Sequence, residues 1–135
     1  MYEIESYKKE IEKYFSKIIH DYDFIFEFKN SHRIFLKSKK CIIRISTERY
    51  QSGISVALIS PENENLSVAL FRILEQQGLM GKKIFTDQEI AVSEAIKDEM
   101  EKSIYTCSIM LEKYCQEALN GSYFDKLQES GKNPI

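Results

Sequence analysis

Residues 23–60 read DFIFEFKNSHRIFLKSKKCIIRISTERYQSGISVALIS. Apolar and polar residues alternate here in four short runs, and polar or glycine-bearing turns separate the runs. Alternation with period two puts every second side chain on one face of a strand, so the stretch predicts an antiparallel meander with one buried face. The first run is Asp23–Lys29, with Phe24, Phe26 and Phe28 on one face and Ile25, Glu27 and Lys29 on the other. Asn30-Ser31-His32 turns the chain into a second strand, Arg33–Lys37, and Ser38-Lys39 turns it into a third, Lys40–Glu48. In that third strand Cys41, Ile43, Ile45 and Thr47 share the core face, while Ile42, Arg44, Ser46 and Glu48 take the other. Tyr50-Gln51-Ser52-Gly53 leads into a fourth strand, Ile54–Ser60, whose Ile54, Val56 and Leu58 face the core. Pro61 has no N–H for a ladder and ends the strand.

The flanks change period. Ile4, Tyr7, Ile11, Tyr14, Phe15, Ile18 and Ile19 recur at three and four, which predicts an amphipathic helix over 2–20. Leu66, Ala69, Leu70, Ile73 and Leu74 make the stripe of a second helix over 66–77, with Asn65 as a candidate N-cap. Gly78 stands where a left-handed C′ residue belongs, and Leu79 can make the accompanying apolar contact. Thr86-Asp87-Gln88-Glu89 has the form of a capping box and opens a third helix, which the pattern carries to Leu119. Its stripe, Ile96, Met100, Ile104, Cys107, Leu111, Tyr114 and Ala118, outruns the sheet. A helix of about 33 residues is roughly 50 Å long, whereas a strand of about six spans roughly 20 Å. Such a helix either breaks, with Lys102-Ser103 the expected place, or buries its surplus against a second copy of the chain. Leu111 and the flanking Ile109 and Met110 would then form a homodimer face.

The fold class that follows is α+β: an N-terminal helix, a four-stranded antiparallel meander, then two helices, the last long, packed on one sheet face. The expected domain spans 1–121, and 122–135 is expected to be a mobile tail with Tyr123, Phe124 and Leu127 as anchors. At 135 residues the chain is about one domain. No apolar run approaches the ~20 residues of a membrane span, and the acidic start Glu3, Glu5 does not resemble a secretory leader. The expected compartment is the cytoplasm. There Cys41, Cys107 and Cys115, each in an apolar stripe and without a C-x-x-C pair, read as packed reduced thiols.

Chemistry is hard to place on this chain. The five glycines are scattered and form no phosphate loop. His20 and His32 lack partners at metal-ligand spacing, and no G-x-S-x-G elbow occurs. Glu62 with Glu64, and Asp98 with Glu99, fall in polar loops or on helix surfaces, where carboxylates keep ordinary acidity. The expectation is a protein that is not an enzyme, with no catalytic residues, no cofactor and no metal.

Charge carries the remaining signal. The net charge is −2, but residues 29–49 hold seven cations against one acid. Residues 62–135 hold eight cations against thirteen acids. A basic meander therefore lies under acidic helices. Its plain reading is a solvated sheet face whose lysines discourage aggregation. Its functional reading is a surface for an anionic partner. Arg33, Phe35, Lys37 and Arg44 share one face, and Glu48, Arg49 and Tyr50 form a charged and aromatic rim at a strand end. These seven are the candidate partner-binding residues. A lone aromatic among cations is thin for base stacking, which puts a protein partner ahead of nucleic acid and leaves a membrane out.

The pattern Leu36-x-Ser38-x-x-Cys41-x-Ile43-x-Ile45-x-x-Glu48-Arg49, followed by Gly53-Ile54-Ser55-Val56 and Ser60-Pro61, resembles small uncharacterised bacterial α+β proteins. Some of these are similar to immunity proteins of polymorphic toxin systems. The likeness covers residues 33–75. It implies a non-enzymatic protein that binds and blocks one cognate toxin. The basic meander departs from the acidic surface expected against a nuclease, so either the acidic helices face the toxin or the toxin is not a nuclease. The alternatives are a secretion-chaperone-like or adaptor dimer, and a nucleic-acid binder using residues 29–49.

Overall fold

The structure, a computed structural model, describes residues 3–47 and 53–130, the last of these by its backbone alone. The meander is present, with one strand more than the sequence pattern announces. Strands β1 (Ile25–Asn30), β2 (Arg33–Lys37), β3 (Ile42–Thr47), β4 (Ile54–Ile59) and β5 (Ser67–Ala69) form one antiparallel sheet in the order β1-β2-β3-β4-β5. The register places Phe26 across Leu36, Leu36 across Ile43, Ile43 across Leu58 and Leu58 across Val68. One face of the sheet is thus lined by apolar residues from edge to edge, as period-two alternation requires.

The fifth strand corrects the reading of 66–77 as helix throughout. Ser60 N–H donates to the Leu66 carbonyl at 2.9 Å, which folds the loop after Pro61 back along β4. Val68 then lies across Leu58 and is fully buried. Three residues are too few for periodicity to separate strand from helix, and the neighbouring strand decides. Helix α3 is left with Leu70–Gln76, preceded by Ala69 rather than capped by Asn65. Gly78 takes φ 72° as expected, and Leu79 N–H donates to the Leu74 carbonyl at 3.0 Å.

Helix α3, the N-terminal turn and a later helix, α5 (Glu99–Tyr114), pack on the sheet, and their buried residues join its apolar face in one core. The N-terminal segment is a 3-10 turn (Ile4–Tyr7) followed by α1 (Lys8–Tyr14) and α2 (Ser16–Asp21). Ile4, Ile11, Phe15 and Ile18 of its stripe are buried. Asp23, at φ 57°, turns the chain into β1; short polar side chains tolerate that conformation.

The expected 86–119 helix is not continuous. It forms α4 (Asp87–Ala95), α5 (Glu99–Tyr114) and α6 (Gln116–Leu119). The principal break falls at 96–98, not at Lys102-Ser103. Asp98, read from sequence as a surface carboxylate, is the N-cap of α5: its Oδ1 accepts from the backbone N–H of Met100 (2.9 Å) and Glu101 (3.1 Å). Ser103 instead ties helix to sheet, its Oγ accepting from Ile54 N–H at 2.9 Å. Gly53 permits that approach, because a Cβ there would stand 2.9 Å from the same oxygen. Met100, Ile104, Cys107, Met110 and Leu111 are all buried within the chain. Most of the stripe offered for a homodimer is therefore packed inside the chain, while Ile96, Ile109 and Tyr114 are only partly buried.

Residues from 122, expected as a mobile tail anchored by Tyr123, Phe124 and Leu127, form a helix, α7 (Ser122–Ser130), with Phe124 buried and Tyr123 and Leu127 packed against the core, while 131–135 lie outside the described residues. The phenylalanines of the first run were expected to face the core together. Phe24 is buried, Phe26 only partly, and Phe28 is 42% exposed. β1 is the sheet's edge and runs out from under the helical layer along its length.

Candidate functional site

The face of the sheet opposite the core is partly open: Arg33 is exposed and Phe35, Lys37, Ile42 and Arg44 are half-buried, while Ser46, Ala57 and Ile59 are buried. The register brings together four of the seven residues nominated from sequence. Phe35 stands across Arg44, Lys37 across Ile42, and Arg33 across Ser46. All belong to the face opposite the core residues Ile34, Leu36, Ile43 and Ile45. Glu48, Arg49 and Tyr50 lie outside the described residues.

Three of the four, Phe35, Lys37 and Arg44, line a shallow depression of about 250 Å³ together with Lys29 and the carboxylates of Glu27 and Glu64; Arg33 lies on the same face outside it. Ile42 and Ile59 contribute apolar lining. Glu27 crosses to Lys37 in an ion pair at 3.0 Å, and the Lys37 ammonium also sits 5.8 Å from the centroid of the Phe35 ring. Both charges of the pair are about half exposed, so it contributes on the order of 0–1 kcal/mol. Its main effect is to hold Lys37 over the ring. The result is a mixed surface, cationic in balance, with one aromatic ring, Phe35, in its lining.

Sequence reasoning put Glu27 on this face without nominating it for binding, and it missed Ile59 and Glu64. Glu27 was legible from strand alternation, since it shares parity with Ile25 and Lys29. Glu64 was not, because the loop after Pro61 returns only through β5. The structure does not bring the histidines to the site. His20 Nδ1 lies 3.3 Å from Asp21 Oδ1, and His32 Nδ1 lies 3.4 Å from Thr47 Oγ1. Among the described residues no group of three or more His, Cys, Asp or Glu is placed to hold a metal ion. No helix among them is long and apolar enough to cross a membrane.

The three thiols are buried. Burial pushes Cys107 and Cys115 up to about 12 and Cys41 higher still, so none of them is a nucleophile at neutral pH. A second depression, about 400 Å³, lies between α3, the 79–85 segment and α5, with Phe71 and Met80 exposed at its rim.

No family model matches the chain, and neither a curated protein nor a solved structure matches it.

Proposed function

We propose that this chain is a non-enzymatic protein-binding module that holds one cognate partner on its partly open sheet face, in the manner of an immunity protein blocking a toxin. The observation that supports this most is the gathering of Arg33, Phe35, Lys37 and Arg44 on the sheet face opposite the buried core, three of them around one depression. An aromatic ring and arginines in an otherwise polar patch are the residue types that carry binding energy in protein interfaces. Glu27 and Glu64 argue against a nucleic-acid partner, since carboxylates in the lining repel phosphate. The cationic balance asks for an acidic or mixed surface on the partner. That is not the basic cleft of a nuclease.

The test is co-expression with the products of the genes adjacent to its own, followed by calorimetry on any complex. The expected result is a stoichiometric complex with one of them, weakened about tenfold or more by Arg44→Glu or Phe35→Ser. A complex indifferent to both changes would move the site elsewhere. Steeply salt-dependent retention on DNA or RNA, with no protein complex, would overturn the reading.

A further inference from the structure

The two edges of the sheet differ. β5 has three residues and passes directly into α3. β1 has six, and all but Phe26 are exposed. Free edges are usually blunted by charge, bulges or covering elements, because their unpaired N–H and C=O groups template another strand. β1 is blunted at one end only. Between Phe28 and Asn30 the register slips in a bulge that carries Lys29. From Ile25 to Phe28 the pairing with Lys37 to Ile34 is regular. At this regular end Ile25 is 73% exposed, which is the reverse of a protective device. Beside Ile25 opens a depression of about 720 Å³ lined by Tyr22, Phe26, Lys37, Lys39 and Lys40 among others.

We infer that β1 is a docking edge on which a partner protein adds an extended segment alternating apolar and acidic side chains. The alternation follows from the two faces such a strand would meet. On the helical side its neighbours are Phe26 and Phe28, whose rings stack with centroids 6.4 Å apart and stand partly open, with the Lys8 ammonium 5.9 and 5.5 Å from the two centroids. On the open side its neighbours are Ile25, Glu27 and Lys29, with Lys39 and Lys40 exposed at the end of the depression. Lys37 is engaged by Glu27, so Lys29, Lys39 and Lys40 set the charge that the added strand sees. Main-chain pairing supplies affinity in this mode, and side-chain alternation supplies selectivity. The inference rests on the reading of the chain as a protein-binding module. It makes the added strand continuous with the proposed face, since Glu27 and Lys37 border both depressions.

The probe is an eight-residue peptide alternating valine and glutamate, with the valine–lysine peptide as control. Binding is read by fluorescence anisotropy and the site by amide hydrogen exchange. The valine–glutamate peptide is expected to bind, to slow exchange across Ile25–Phe28, and to lose about tenfold in affinity on Ile25→Lys or Phe28→Lys. Both residues are exposed, so both variants keep the wild-type melting curve. No binding, equal binding of the lysine peptide, or protection confined to the rim around Phe71 and Met80 would overturn the inference. So would protection of β1 without peptide that grows with protein concentration, which would assign the edge to a second copy. A cognate complex that responds to Arg44→Glu but not to Ile25→Lys would sink the docking edge and leave the sheet-face reading standing.

Discussion

At the scale of single residues, Ile43 shows how far alternation can be trusted. It is fully buried between Leu36 on β2 and Leu58 on β4. Ile43→Ala removes methyl and methylene groups from a packed core and leaves a cavity, so it should cost about 2–5 kcal/mol in denaturant unfolding. A loss below about 0.5 kcal/mol would mean the strand presents its other face. The cysteines give a second test. Burial raises their pKa values in the folded state, to about 12 for Cys107 and Cys115, against roughly 8.5 for an unfolded thiol. A raised pKa means the folded state holds the proton more tightly. The contribution to stability is therefore complete below the unfolded value and is lost as pH rises from there towards 12. At pH 8 the buried thiols therefore stay protonated. An aromatic disulfide reagent at that pH should report no reactive thiol in the native protein and three in denaturant. Prompt reaction of one thiol in the native state would mean that its site opens. These features were legible in sequence because each depends on the side chain and its immediate period. Asp98 was not: its neighbours made it look like a surface acid, and only the turn of backbone behind it makes it a cap.

At the scale of elements, α4 differs from the rest. None of its residues is buried. It is held by its capping box, in which Thr86 N–H donates to Glu89 Oε1 at 2.8 Å and Glu89 N–H to Thr86 Oγ1 at 3.1 Å. It is held also by two ion pairs, Lys83–Asp87 and Lys113–Glu89. Burial alone would raise the Glu89 pKa, but the hydrogen bonds from Lys113 and Thr86 outweigh it and bring the carboxyl below its usual value. The anchor is thus present above the ordinary carboxylate range and is released as pH falls through the folded value. Thr86→Ala removes one capping acceptor and should cost about 1 kcal/mol. Because α4 can open without the core, the cost should appear locally: amide exchange across Asp87–Ala95 about fivefold faster, the global unfolding midpoint nearly unchanged. An equal loss spread through the β-strands would show that α4 is part of the main cooperative unit. The capping box was legible from four residues, and so was the C′ glycine at 78. The β5 strand and the 96–98 break were not. In both, a helical stripe continues through the sequence, and the interruption meets a residue outside the segment: Leu58 across from Val68, and Tyr7, whose hydroxyl donates to Asp98 Oδ2 at 2.9 Å.

At the scale of the molecule, the question is what the long apolar stripe packs against. Length alone said that a 50 Å helix could not be served by a four-stranded sheet, and that dilemma had two exits. The structure takes the intramolecular one by breaking the helix. α5 then fits the sheet, with Met100, Ile104 and Leu111 fully buried. α1 flanks it through Tyr14, whose hydroxyl donates to Glu101 Oε2 at 2.5 Å. α2 reaches it through the Lys17–Glu112 ion pair at 2.8 Å. An exposed apolar strip was the argument for a helix-to-helix dimer, and little of that strip is left at the surface. Light scattering of the free protein at micromolar concentration should therefore give a mass near 15.8 kDa. Leu111→Glu separates the two pictures. At a helix-to-helix interface it would halve the mass and leave a folded monomer. In a core position with no exposure it places a carboxylate among apolar groups with no partner, a change that costs several kcal/mol and unfolds a domain of ordinary stability. The expected outcome is loss of the cooperative melting transition at unchanged or rising mass. A folded Leu111→Glu monomer obtained from a dimeric parent would return the stripe to the surface and, with it, the homodimer.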